Sequence, residues 1–312
     1  MKRVLLCFFI CCSFIAKAQV YNNEWIDFSK TYYKFKVAKN GLYRIPQPIL
    51  ASAGLGSTPA EYFQLWRNGA QVPIYTSVVT GNLSASDYIE FWGEMNDGKP
   101  DKDLYDDPAY QLNDKWSLET DTAMYFLTVN TTGNNFRLIN TPNNVAGNLL
   151  LPEPYFMYTV GKYYKDRLNN GYAVLADNQY LFSSAYDKGE GFTSVEFGSL
   201  SENFINLQPY TSGPGTANFN IALSGNSVSA RTYLVNINGN SIISGPVDFL
   251  NDAKGNTNFP ISLISSGAAN VKVTHSGDRL VVHKIELTYP RKFDFNGAKN
   301  FEFVLPANCN NS

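Results

Sequence analysis

The stretch TYYKFKVAKNGLYRI, residues 31–45, alternates apolar side chains at Tyr33, Phe35 and Val37 with lysines at 34 and 36. A period of two places one set on the buried face of a strand and the other in water. Asn40-Gly41 then supplies the residue pair favoured in a two-residue hairpin turn, so the spacing predicts a hairpin from this strand into residues 42–45. Residues 63–67 and 71–75 flank Asn68-Gly69 in the same way, and residues 87–92 and 123–129 read as further strands. Between them, PQPILASAGL (46–55) predicts one short helix, ended at Gly54, where glycine accepts the left-handed conformation of a helix C-terminus.

Alternation stops across residues 140–154, where TPNNVAGN and LPEP intervene, and it resumes at 218–223, 231–237, 271–275 and 280–289. Short strands separated by Gly, Asn and Ser, without amphipathic helices between them, predict an all-β chain. The expected organisation is a signal peptide over 1–18, an N-terminal β-domain over 19–145 and a second β-sandwich over 154–312. Both domains would be of jelly-roll or immunoglobulin-like type, with at most one or two short helices. Residues 301–305 read as a last strand followed only by PANCNNS, which predicts that the chain is the front of a longer protein.

Met1-Lys2-Arg3, an apolar run over 4–15 and Ala16-Lys17-Ala18 make the pattern of a secretory signal with cleavage before Gln19. Cys7, Cys11 and Cys12 leave with it, so Cys309 is the one remaining thiol and no internal disulfide can form. Cleavage leaves 22 basic and 27 acidic side chains, a formal charge of −5, which argues against nucleic acid or an anionic membrane surface as partner. No later apolar run approaches the roughly 20 residues that cross a bilayer as a helix.

Chemistry is sparse. Cys309 could be paired on paper with His275 or His283. Strand parity instead places His275 with Val271 and Val273, and His283 with Val281, Ile285 and Leu287, so both read as core-facing and hydrogen-bonded. Two histidines and one thiol do not make a zinc site, and neither a glycine-rich phosphate loop nor a nucleophile-elbow serine is present. Residues 96–107 (NDGKPDKDLYDD) pack five aspartates into twelve positions. Asp97, Asp101 and Asp103 are candidate ligands for calcium, a cation that takes hard oxygen donors. The segment lacks the EF-hand's sixth-position glycine and twelfth-position glutamate, and a solvated acidic loop is the other reading; calcium is the only cofactor that comes into question.

Several segments carry a resemblance: KFKVAKNGLYRI (34–45), LWRNGAQVPIY (65–75), DYIEFWGEMNDG (87–98) with DLYDD (103–107), DTAMYFLTV (121–129), SAYDKGEGFTS (184–194) and IELTYPRKFD (285–294). In this order they resemble the N-terminal, non-catalytic region of gingipain-related cysteine peptidases, above all the PorU-type sortases of type IX secretion systems. The resemblance implies a surface or outer-membrane-associated protein of a Bacteroidetes-type bacterium, with an outer-membrane β-barrel partner and secreted cargo proteins. It implies a peptidase domain further downstream that brings its own His and Cys, with the present region as scaffold. A secreted adhesin or carbohydrate-binding sandwich is the alternative, and it would display an exposed aromatic platform.

Overall fold

The computed structural model describes residues 23–140, 142, 147, 152–298 and 303. The signal segment, Cys309, the expected strand at 301–305 and most of the expected domain boundary lie outside them. The chain is all-β, with one six-residue α-helix and four short 3-10 turns among the described residues. The described residues divide into two compact units, one formed by residues 23–95 with 122–142 and the other by 96–121 with 147–303.

The first unit contains β1 (Tyr33–Val37), β2 (Gly41–Pro46), α1 (Gln47–Ser52), β3 (Phe63–Arg67), β4 (Ala70–Val72), β5 (Tyr75–Thr76), β6 (Tyr88–Gly93) and β7 (Ala123–Val129). The strands form two antiparallel sheets, ordered β1-β7-β3-β4 and β2-β6-β5. The alternation seen in the sequence becomes the core: Val37, Phe63, Leu65, Ile89, Phe91, Tyr125 and Leu127 are buried in one cluster, with Phe35 and Tyr43 packed against it. The rings of Phe35, Tyr43, Phe91 and Tyr125 pack with centroids 5.4–5.8 Å apart, close enough for aromatic attraction beyond area burial. Gly93 is needed beside them, because a Cβ there would stand 2.5 Å from the Tyr43 ring.

The two Asn-Gly pairs behave differently. Asn68 and Gly69 both have positive φ, 48° and 78°, and join β3 to β4 in register as a hairpin. Neither Asn40 nor Gly41 is in that region, and the hairpin expected there does not form: β1 pairs with β7, and β2 pairs with β6. Asn40-Gly41 is a corner where the chain leaves one sheet for the other, and the Asn40 side chain accepts a hydrogen bond from the Met95 backbone N–H (2.8 Å). The expected helix does form, and Gly54 follows it at φ 80°.

In the second unit the strands are β8 (Phe156–Tyr163), β9 (Arg167–Asn170), β10 (Ala173–Ala176), β11 (Gln179–Phe182), β12 (Glu190–Thr193), β13 (Ser199–Phe204), β14 (Thr216–Gly225), β15 (Thr232–Ile237), β16 (Asn240–Pro246), β17 (Asp252–Pro260), β18 (Ala269–His275) and β19 (Leu280–Arg291). Two four-stranded antiparallel sheets, β13-β18-β15-β16 and β17-β14-β19-β8, enclose a core of Phe219, Ile221, Leu223, Val235, Val271, Val273, Ile285 and Leu287 among others. The pairs β9–β12 and β10–β11 form two smaller sheets. Residues 96–121, which the sequence reading placed within the N-terminal domain, belong to this unit. Non-local bonds explain why: Trp116 donates to the Tyr163 carbonyl (3.0 Å), Tyr105 Oη to the Glu190 carbonyl (3.1 Å), and Asn113 Nδ2 to the carbonyls of Tyr164 and His283.

The turn assignments are testable. Gly69→Ala is expected to cost about 1 kcal/mol or more in urea unfolding, because alanine resists the left-handed conformation. Gly41→Ala should stay within about 0.5 kcal/mol, since a Cβ at Gly41 meets nothing within 4 Å.

Candidate functional site

Four of the five aspartates in residues 96–107 are held by bonds within the second unit. Asp101 is buried, and its carboxylate accepts from the Leu118 backbone N–H (2.6 Å). Asp97 pairs with Lys99 (2.9 Å), while Asp103 is exposed. Asp106 accepts from Ser183 Oγ (3.1 Å), and Asp107 caps the 3-10 turn Pro108–Tyr110 through the Ala109 N–H (2.8 Å). Asp97, Asp101 and Asp103 are therefore not brought together on a common centre. Among the described residues no group of three or more His, Cys, Asp or Glu side chains could hold a metal ion. Asp101→Ala should destabilise by about 1–3 kcal/mol through the orphaned Leu118 N–H, with the same loss of melting temperature in chelator and in millimolar calcium.

The histidines are also tied to structure. His275 is half-buried, with Nε2 2.6 Å from the Phe197 carbonyl oxygen. His283 is fully buried, and its Nε2 lies 2.7 Å from Ser224 Oγ. Its position differs from simple parity. The β14–β19 register shifts between Ala222 and Leu223, which pair with Lys284 and Val282, so His283 is an extra residue on β19. The bulge reverses the facing of the strand: Val282, Ile285 and Leu287 lie in the sandwich core, while Val281 and His283 are buried outside that cluster. There Ser194 N–H bonds the Val282 carbonyl (2.8 Å), and Tyr164 N–H bonds that of His283 (3.0 Å).

Burial pushes the His283 imidazole down to about 3, opposed by a hydrogen bond with the Phe192 backbone. A neutral, enclosed imidazole next to a buried serine is not a catalytic pair, because no substrate can reach it. It does bear on acid stability. A base with a depressed folded pKa contributes fully above its unfolded value of 6.5, and that contribution is lost as pH falls towards 3. The loss from this group approaches about 1.4 kcal/mol per pH unit. In His283→Gln the acid limb of a stability–pH curve should be shallower by about one proton.

Arg231, equally buried, holds one end of the sandwich. Its guanidinium donates to the carbonyls of Asp278 (2.7 Å), Val247 (3.2 Å), Phe249 (2.7 Å) and Ser227 (2.9 Å), and to the hydroxyls of Ser227 and Ser229. Gly225 makes room for it: a Cβ there would stand 2.0 Å from Arg231 Nη1 and 1.9 Å from the Phe249 oxygen.

The feature unlike a folding element is the hairpin β10–β11. Asp177 and Asn178, both at positive φ, form its two-residue turn, and among the described residues it pairs with no other strand. Val174, Leu175, Tyr180, Leu181 and Phe182 are each between 47 and 56 % exposed. Leu175 and Tyr180 are directly paired, as are Val174 and Leu181, so both faces of the ribbon are apolar. An isolated two-stranded ribbon is marginal in water, and contiguous exposed apolar surface marks an interaction site. No sequence signal separated these four-residue strands from loop. The cue that could have found them was the Asp-Asn pair between two apolar runs, AVLA and QYLF. At the ribbon's base a cleft of about 190 Å³ is lined by Tyr180, Phe182, Asn226 and Arg279. All four tryptophans are half-buried, with Trp25 and Trp66 stacked on each other.

No family model matches the chain, and no curated protein matches it in sequence. Among solved structures, dimeric latent PorU from Porphyromonas gingivalis superposes with a TM-score of 0.51 over 85% of this chain at 13% identity. The chain spans 25% of the length of that protein. The carbohydrate-binding module CBM36, in complex with calcium and xylotriose, matches over 41% of this chain and 98% of its own at 12% identity, with a TM-score of 0.24. BuGH86 in complex with neoagarooctaose matches over 85% of this chain and 32% of its own at 12% identity, with a TM-score of 0.26. The first likeness shows a PorU-like fold; the other two superpose too poorly to bear on function.

Proposed function

We propose that the chain is the non-catalytic N-terminal β-region of a PorU-type sortase of a type IX secretion system, and that it positions a downstream cysteine peptidase domain. The observation that carries this reading is the PorU-like fold over 85% of the chain, together with six ordered segments of sequence resemblance spread from residue 34 to residue 294. The two histidines are consistent with a scaffold. Both are held by structural hydrogen bonds, His283 to Ser224 Oγ and His275 to the Phe197 carbonyl. In this role the protein is exported to the outer membrane or cell surface and works beside an outer-membrane β-barrel and secreted cargo. The β10–β11 ribbon is its protein-contacting element. The absence of Lys and Arg between residues 171 and 187, and the polar Asp177-Asn178 tip, favour a protein over an anionic bilayer as its partner.

Purified residues 19–312 should cleave no peptide substrate, and Cys309→Ala should change nothing measurable. Cleavage that disappears in Cys309→Ala would overturn the scaffold reading. In the host, Val174→Thr/Leu181→Thr, which removes apolar surface while placing β-branched residues in the ribbon, should leave the abundance of the full-length protein unchanged and impair removal of C-terminal targeting signals from secreted cargo. Both positions are exposed, so their stability cost should stay within about 0.5 kcal/mol each. Normal processing in that variant would remove the ribbon from the proposed role.

A further inference from the structure

In the first unit a groove of about 390 Å³ is lined by three consecutive residues of β1, Tyr33, Lys34 and Phe35, and three of β2, Arg44, Ile45 and Pro46. Side chains alternate across a strand, so a groove lying over a sheet face touches every second residue. Contact with consecutive residues means that this groove follows strand edges. The topology agrees: β1 is the terminal strand of its sheet and β2 the terminal strand of the other. Leu50, Leu55 and Leu127, all members of the unit's core, also line it. The groove is thus an opening between two sheet edges onto a hydrophobic core, next to an edge strand whose outer N–H and C=O groups face away from β7, its one paired neighbour among the described residues.

We propose that this groove binds an extended peptide that adds a strand to the free edge of β1, with apolar and acidic residues alternating along it. Strand addition draws affinity from main-chain hydrogen bonds and selectivity from pockets that take alternate side chains. The pattern of β1 sets the pattern of its partner. Directly opposed side chains share a face, so residues beside Tyr33 and Phe35 would point into the apolar groove. Those beside the exposed Lys34 and Lys36 would point to solvent, where carboxylates match the charge. Lysines on an edge strand also deter indiscriminate pairing; here they make the edge selective for an acidic partner.

The test uses residues 19–312 and a fluorescein-labelled peptide of about nine residues alternating valine and glutamate, a typical strand length, read by anisotropy. Saturable micromolar binding is expected, with little binding of the matching valine–lysine peptide. Lys34→Glu/Lys36→Glu should weaken the valine–glutamate peptide by about tenfold or more and reverse the preference. Ala53→Trp, which fills the groove from an exposed position on its wall, should abolish binding while leaving the melting temperature unchanged. No binding, equal binding of the two peptides, or binding indifferent to Ala53→Trp would each overturn the proposal. Displacement of the peptide by laurate, with laurate bound more tightly, would reassign the groove to an acyl chain and overturn it as well.

Discussion

One extra residue in β19 governs the architecture of the second unit. Without the bulge at His283, a strand of twelve residues would present a single apolar face to a single core. With it, Val282, Ile285 and Leu287 serve the sandwich, whereas Val281 and His283 are buried on the other side of the strand. Buried residues outside the sandwich need a cover. The carbonyls of Val282 and His283 are taken up by Ser194, Tyr164 and Asn113, which commits the region around β12 and the 96–121 insert to that side. The Ser224 hydroxyl gives the enclosed imidazole a polar partner, without which a buried ring nitrogen would carry a desolvation cost.

Legibility in the sequence followed the range of the interactions. Strands whose alternation is strong and whose core is continuous, such as β1, β7, β14, β15 and β19, were visible from single-residue periodicity. So was the α-helix, because Gly54 punctuates it locally. The two Asn-Gly pairs look alike in sequence. What separates them is tertiary: Phe35 and Phe91 draw β1 and β2 into different sheets, and a local turn preference of about 1 kcal/mol cannot oppose that burial. The bulge was hidden for the same reason, since a register shift is a property of two strands. The allocation of residues 96–121 depends on partners 47 to 170 positions away, such as Tyr163 for Trp116 and His283 for Asn113.

The candidate sites divide in a similar way. The aspartates caught attention as a composition, yet their roles are set one at a time by backbone N–H groups, a lysine and a hydroxyl nearby. Composition counts carboxylates without saying where they point. Arg231 gave no signal at all, because four carbonyls from three separate loops assemble around it only in the fold, and its positive charge is met by dipoles. Burial pulls its pKa down, with Asp278 and Asp248 opposing. The apolar ribbon β10–β11 stands apart because it breaks the rule that made the rest readable. Its hydrophobic residues predict burial, and they are exposed.

The discontinuity of the second unit sets an order on folding during synthesis. When residues 33–129 have emerged, β6 and β7 can pair with their neighbours and close the first unit, but the intervening residues 96–121 have nothing to bind. Tyr105, Leu112 and Trp116 remain in solvent until β8, β12 and β19 arrive, the last of these more than 150 residues later. Pairing at such separation is slow, and a tethered segment with unsatisfied apolar side chains is vulnerable to proteolysis while it waits. Until then the aspartates of residues 96–107 keep the waiting segment charged and soluble, a contribution to the unfinished protein that precedes their bonds in the folded one.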